Sequence, residues 1–167
     1  SRRLTGAAVG RAVTVGPTAT LTTMSDEPLT NAAVERIRAG LQFANVMERD
    51  EFTPGALTDD FVFEDRRSGF NFGRHDATTY REAGRSVCDV GSGRPSWSIP
   101  EVIAVRGQRT AATALVIDYG NDMHNDMIGR VRFDPQVHRL QRRVLFDIDA
   151  RDAAIAEVDR LHAEVDD

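Results

Sequence analysis

The sequence predicts an α+β domain in which helices cover a curved, cone-shaped antiparallel sheet, with a short helix closing the chain. Three observations lead there. Helical periodicity is confined to the first half and to the last stretch of the chain. Between them, four β-rich runs follow one another from about Ser96 to Asp149, separated only by short turns rich in Gly, Asn, Asp or Pro. The length, 167 residues, suits one domain with a full hydrophobic core.

Residues 1–29 differ from the rest. They are rich in Gly, Ala, Thr and Ser and poor in large apolar groups, and they read as an N-terminal extension. Val13-Thr14-Val15 alternates as a short strand does. Met24 followed by Ser25-Asp26-Glu27-Pro28 reads like a natural start. Residues 1–24 are therefore expected to be dispensable for the fold, and the domain is placed at residues 30–167.

The first helix is predicted from about Thr30 to Asp50, capped by Thr30 or Asn31, with Val34, Ile37, Leu41 and Ala44 on one face. A short helix is predicted at Thr53–Leu57, with Pro54 in its first turn. Thr58-Asp59-Asp60 then leads into a strand, Phe61 to Arg66. Ser68 to Gly73 reads as a loop, and a third helix follows from Asp76, its cap, to Val90. Gly91-Ser92-Gly93-Arg94-Pro95 ends that helix. Strands are then predicted at Trp97–Val105, Arg109–Tyr119, Met123–Phe133 and Arg139–Asp149. A closing helix, Ala150 to Val165, carries Ile155, Val158 and Leu161 along one side.

Composition narrows the function classes. The net charge of -5 and a pI near 5.4 argue against a general nucleic-acid binder, which needs a basic face. No apolar run approaches the roughly 20 residues that span a bilayer, and no apolar stretch follows the early arginines as in a secretory signal. The single cysteine, Cys88, allows no internal disulfide and suits a reducing compartment. A cytoplasmic protein without nucleic-acid or membrane partners is the expectation. Every basic residue other than His is arginine, so lysine Schiff-base chemistry and pyridoxal phosphate anchoring are excluded. An all-arginine chain rich in Ala, Gly, Asp and Val also suggests a GC-rich bacterial genome.

Several segments carry a family resemblance. They are Met47-Glu48-Arg49-Asp50-Glu51-Phe52, Leu57-Thr58-Asp59-Asp60-Phe61-Val62-Phe63-Glu64-Asp65, Gly73-Arg74-His75-Asp76-Ala77 and Val144-Leu145-Phe146-Asp147. Together with the element order, they resemble the SnoaL-like branch of the nuclear transport factor 2-like superfamily, over about Val34 to Val165. The resemblance implies a cystatin-like α+β fold. It also implies one of several roles: polyketide cyclase, isomerase, epoxide hydrolase or dehydratase, or a pocket or dimerisation domain without catalysis.

Strand alternation selects candidate pocket residues, because a polar group on an apolar face must be paired or serve a ligand. Phe61 and Phe63 alternate onto one face with Asp65; Trp97, Ile99, Ile103 and Val105 with Glu101; Thr113, Leu115 and Ile117 with Tyr119. Met123, Met127, Val131 and Phe133 go with Asn125; Leu140, Val144, Phe146 and Ile148 with Arg142. A bulge inverts this parity beyond it. The candidate catalytic set is Asp65 as general acid or base with Tyr119 and Arg142 stabilising an oxyanion, and Asp65 and Arg142 are expected in one cavity. Phe63, Trp97, Glu101, Asn125 and Phe146 are the candidate ligand contacts. No cofactor is expected and no metal: Asp122, His124 and Asp126 are a weak ligand set. The reading is a pocket for a small hydrophobic molecule, the alternative a cofactor-independent cyclase, isomerase or dehydratase. A homodimer is expected through an outer sheet face bearing Val116, Ile128 and Leu145.

Overall fold

Asn31 starts the first helix and anchors it. In the computed structural model, which describes residues 29–47, 55–70, 72–88 and 95–164, α1 spans Ala32–Met47. The Val34 backbone N–H donates to Asn31 Oδ1 at 2.9 Å, an N-cap bond. The Asn31 amide donates in turn to the carbonyls of Gly107 at 2.9 Å and Thr110 at 3.0 Å, 76 and 79 residues away. Replacing Asn31 with Ala removes all three bonds and is expected to cost about 2 kcal/mol in denaturant melts. Asn31→Asp keeps the cap without the donors and should fall between Ala and the native residue.

The remaining elements follow in chain order. They are β1 (Leu57–Asp65), β2 (Gly73–His75), α2 (Ala77–Cys88), β3 (Ser96–Arg106), β4 (Thr110–Gly120), β5 (Met123–Phe133), β6 (Leu140–Asp147) and α3 (Arg151–Ala163). Asp76 caps α2 by accepting the Thr79 N–H at 2.9 Å. Asn121 and Asp122 turn β4 into β5 with φ of 54° and 61°, in the left-handed region that these residue types tolerate. The N-terminal extension with its Val13–Val15 strand, Thr53 and Pro54 of the short helix expected at 53–57, and the segment 89–94 lie outside the described residues; the rest of that helix is corrected, since Gly55 and Ala56 form a turn and a bend. Leu57 itself belongs to β1, where it pairs with Leu140.

The six strands form one sheet in the order β2-β1-β6-β5-β4-β3. Four of its five pairings are antiparallel, but β1 runs parallel to β6. The all-antiparallel expectation is corrected there. No hairpin joins β1 to β6, so nothing local forces an antiparallel direction. The strand β2 sits inside a segment read as loop and helix entry, and three residues are too few for a periodic signal.

Both faces of the sheet are covered. On one, α1 and α2 enclose Val34, Leu57, Phe61, Phe63, Tyr80, Leu115, Ile117, Met127 and Leu145. On the other, α3 places Ala154 and Val158 against Ile103, Ala112, Ala114, Ile128, Val144 and Phe146. The closing helix thus packs on the face opposite α1 and α2. It also removes the basis for self-association through Ile128 and Leu145. Ile128 is sealed under α3, and Leu145 belongs to the opposite core. Among the described residues no helix is long and apolar enough to cross a membrane.

Bulges decide which side chain faces which core. Between Arg132↔Arg142 and Phe133↔Leu140, β6 advances two residues while β5 advances one, so Gln141 is extra. In β3, three steps from Ser98 to Glu101 match two on β4, and two steps from Val102 to Ala104 match one. Pro100, which has no N–H to donate, sits in the first of these irregular stretches on the edge strand.

Candidate functional site

The concave face is built in rows across the strands. One row runs His75–Phe63–Arg143–Val131–Ala111. The next runs Gly73–Asp65–Leu145–Gly129–Thr113–Val102, and a third Asp147–Met127–Leu115. At the open end, Asn125 and Trp97 flank Ile117. Phe61, Phe63 and Tyr80 pack as an aromatic group, with ring centroids 5.1 Å and 4.7 Å from Tyr80, and His75 stacks on Phe63.

Into this apolar face reach two buried guanidiniums. Arg67, just past β1, donates from Nε to Asp65 Oδ1 at 2.9 Å and from Nη2 to Oδ2 at 2.8 Å. The Arg67 backbone N–H also donates to Oδ1, at 3.1 Å. The pair is closed off from water: Asp65 is 3% exposed and Arg67 7%. Arg67 Nη1 approaches the Met127 sulfur at 3.8 Å, and Phe70 stacks on the guanidinium. The second guanidinium, Arg143, donates to the Tyr80 hydroxyl at 2.9 Å. It passes beside Gly129, where an added side-chain carbon would meet only ordinary contacts. A Cβ there would lie 4.0 Å from an Arg143 nitrogen and 3.8 Å and 3.9 Å from Leu115 and Leu145.

Five of the eight sequence-predicted residues lie on this face. Asp65 and Phe63 are buried in it, Trp97 and Tyr119 pack partly buried against its core, and Asn125 is half-buried beside Ile117. The other three are corrected to the outer face. Arg142 lies 3.6 Å from Glu64 and 3.8 Å from Glu157 on α3, so it does not share a cavity with Asp65. Phe146 is sealed beneath α3 with Arg66 over its ring. Glu101 is half-exposed and bonded to Arg151 of α3. The extra residue Gln141 flips β6, so that Arg143 and Leu145 take the face expected for Arg142, Val144 and Phe146. The irregular stretch at Pro100 does the same for Glu101. His124 is exposed, 3.7 Å from Asp126.

Alternation missed three residues of this face: Arg67, Tyr80 and Arg143. Arg67 lies beyond the strand, where parity no longer speaks. Its spacing of two from Asp65 was the available signal, since a carboxylate commonly bonds the backbone two residues on.

The arrangement has solved counterparts. A protein of unknown function with cystatin-like fold from Methylobium petroleophilum PM1 superposes with a TM-score of 0.52 at 18% identity, over 71% of this chain and 78% of its own. The chain has the cystatin-like fold. BvnE pinacolase from Penicillium brevicompactum shares the fold at a TM-score of 0.55 and 13% identity, over 79% of this chain and 96% of its own. A computationally designed 17-OHP binder shares it at 0.51 and 14%, over 70% and 93%. No family model and no curated protein matches the chain. At these identities the likeness concerns the fold, which hosts both catalysts and binders.

Proposed function

We propose that this domain is a SnoaL-like pocket that binds a small hydrophobic molecule on the concave face, without using Asp65 as a general base. One observation carries the reading: the Asp65 oxygens are already committed. Oδ1 accepts two N–H groups of Arg67 and Oδ2 a third. A base must reach its substrate proton, whereas this carboxylate is buried, three of its roughly four lone-pair positions are taken by Arg67, and it serves as that residue's counter-ion. The half-buried residues at the open end, Trp97, Ile99, Tyr119 and Asn125, offer apolar surface with polar contacts at the rim, the usual composition of a small-molecule site. The exposed Met123 and Phe72 add apolar surface to be covered.

Trp97 is the only tryptophan and reports on this end of the sheet. Titration with the bicyclic ketone decalone is expected to change its emission saturably, and Asn125→Phe, which fills the space beside Ile117, should weaken the response. No turnover of the ketone is expected. Absence of saturable binding would overturn the reading, as would turnover that Asp65→Asn abolishes.

A further inference from the structure

The outer face carries an arginine cluster that the concave site does not use. Arg130 and Arg132 lie two residues apart on β5, and Arg142 on β6 is the direct cross-strand partner of Arg132. Like charges placed opposite one another across a sheet repel. Arg130 is wholly buried, 0% exposed, and among the described residues neither its Nε nor its two terminal nitrogens has a hydrogen-bond partner. The Nε atoms of Arg132 and Arg142 are buried and unpartnered as well.

The surrounding carboxylates are committed elsewhere. Glu157 accepts from Arg160 at 2.8 Å and 3.0 Å and faces Arg66 at 3.5 Å and Arg142 at 3.8 Å. Glu64 accepts from Arg66 at 2.8 Å and 3.1 Å. Asp60 accepts from Gln141, and Glu164 from Arg160. Among the described residues, six arginines (66, 109, 130, 132, 142 and 160) thus face four carboxylates, a local excess of two positive charges in a chain of net charge -5. Burial and the neighbouring arginines, only partly offset by Glu157, push the Arg130 guanidinium down to about 9. A water molecule satisfies donors but leaves that charge excess in place. An anion answers both.

We propose that this cluster is an oxyanion site on the flank of α3, taking the tetrahedral phosphate or sulfate group of a small molecule or the free anion. Arg132 and Arg142 are half-buried and carry the cluster to the surface. Their partly exposed side chains face the anion, and Arg130 supplies charge from below. Guanidinium donors suit such an anion because charge-assisted N–H bonds are the strong ones and the fork is rigid.

The test uses the full chain and calorimetric titration with inorganic phosphate and sulfate, with chloride balancing ionic strength. Saturable binding is expected, with a rise in melting temperature over equal chloride. Arg132→Gln and Arg142→Gln, at the half-buried edge, should each weaken binding about tenfold or more. Arg151→Gln, which removes one positive charge from the exposed Glu101 pair, should leave it unchanged. Arg130→Met should abolish it, and if that variant does not fold, the two edge variants decide. Phenyl phosphate binding more tightly than inorganic phosphate assigns the site to an organic ester, and equal binding to the free anion. The proposal falls if no saturable binding is seen. It also falls if phosphate and sulfate stabilise Arg132→Gln and Arg142→Gln as much as the native chain, since that is the general effect of excluded salts.

Discussion

Asp65→Ala is expected to destabilise the fold by about 3–5 kcal/mol, because it strands the Arg67 guanidinium in the concave core. At about 2–4 °C per kcal/mol for a chain of this size, the melting temperature should drop by ~10 °C. The reasoning rests on burial and on commitment of donors. Asp65 supplies the carboxylate for Arg67 Nε and Nη2, and among the described residues the guanidinium also meets the Met127 sulfur and the Phe70 ring. Arg67→Ala should cost a comparable amount by stranding the carboxylate. The double replacement Asp65→Leu with Arg67→Met removes both charges and keeps the volume, so it should cost less than either single change. Denaturant melts of the four proteins measure this. Simple additivity would mean that the two groups do not interact, and the counter-ion role of Asp65 would be lost with it.

The element order of this fold was legible in the sequence because each piece rests on local chemistry. Asn31 and Asp76 are N-caps by residue type and cap as expected. The Asn121-Asp122 turn and the four long strands follow from alternation and punctuation. The site was legible only as far as strands run without interruption. Asp65 and Asn125 kept their faces because the end of β1 and β5 around Asn125 are regular, and Tyr119 packs against the same core although β4 carries an extra residue there, between Asp118 and Gly120. Arg142, Phe146 and Glu101 lost theirs to extra residues at Gln141 and near Pro100, which no local signal marks strongly. The position of α3 was hidden for another reason. Its apolar stripe says that it packs, and the outer face of the sheet carries an apolar set of its own, but only tertiary structure joins Val158 to Ile128. That pairing buries Arg130 of β5 and sets Arg142 of β6, expected in the pocket with Asp65, beside Glu157 of α3.

Glu157→Gln is the second large effect expected. Glu157 sits on α3, 6% exposed, and is the carboxylate shared by Arg160, Arg66 and Arg142 above the buried Arg130. Removing its charge leaves Arg130 without its main compensation, at a cost of about 3–5 kcal/mol near neutral pH. The Arg160 hydrogen bond, with the Arg66 and Arg130 charges and against the opposing effect of burial, holds the Glu157 carboxyl below the usual glutamate range. A carboxyl lowered in the folded state contributes stability that is fully present above its unfolded pKa, about 4.3, and is lost as pH falls through the folded value. The native protein should therefore lose stability on acidification below about pH 5, while Glu157→Gln lacks that contribution from the start. The gap between the two melting curves should be widest at neutral pH and close as the acid limb is descended. A gap that stays constant with pH would assign the effect to lost packing instead of lost charge. Phosphate supplies a second check, since an anion beside Arg132 and Arg142 replaces part of the missing negative charge. It should stabilise Glu157→Gln more than the native chain at equal ionic strength, and an equal response in both would disconnect Glu157 from the arginine cluster.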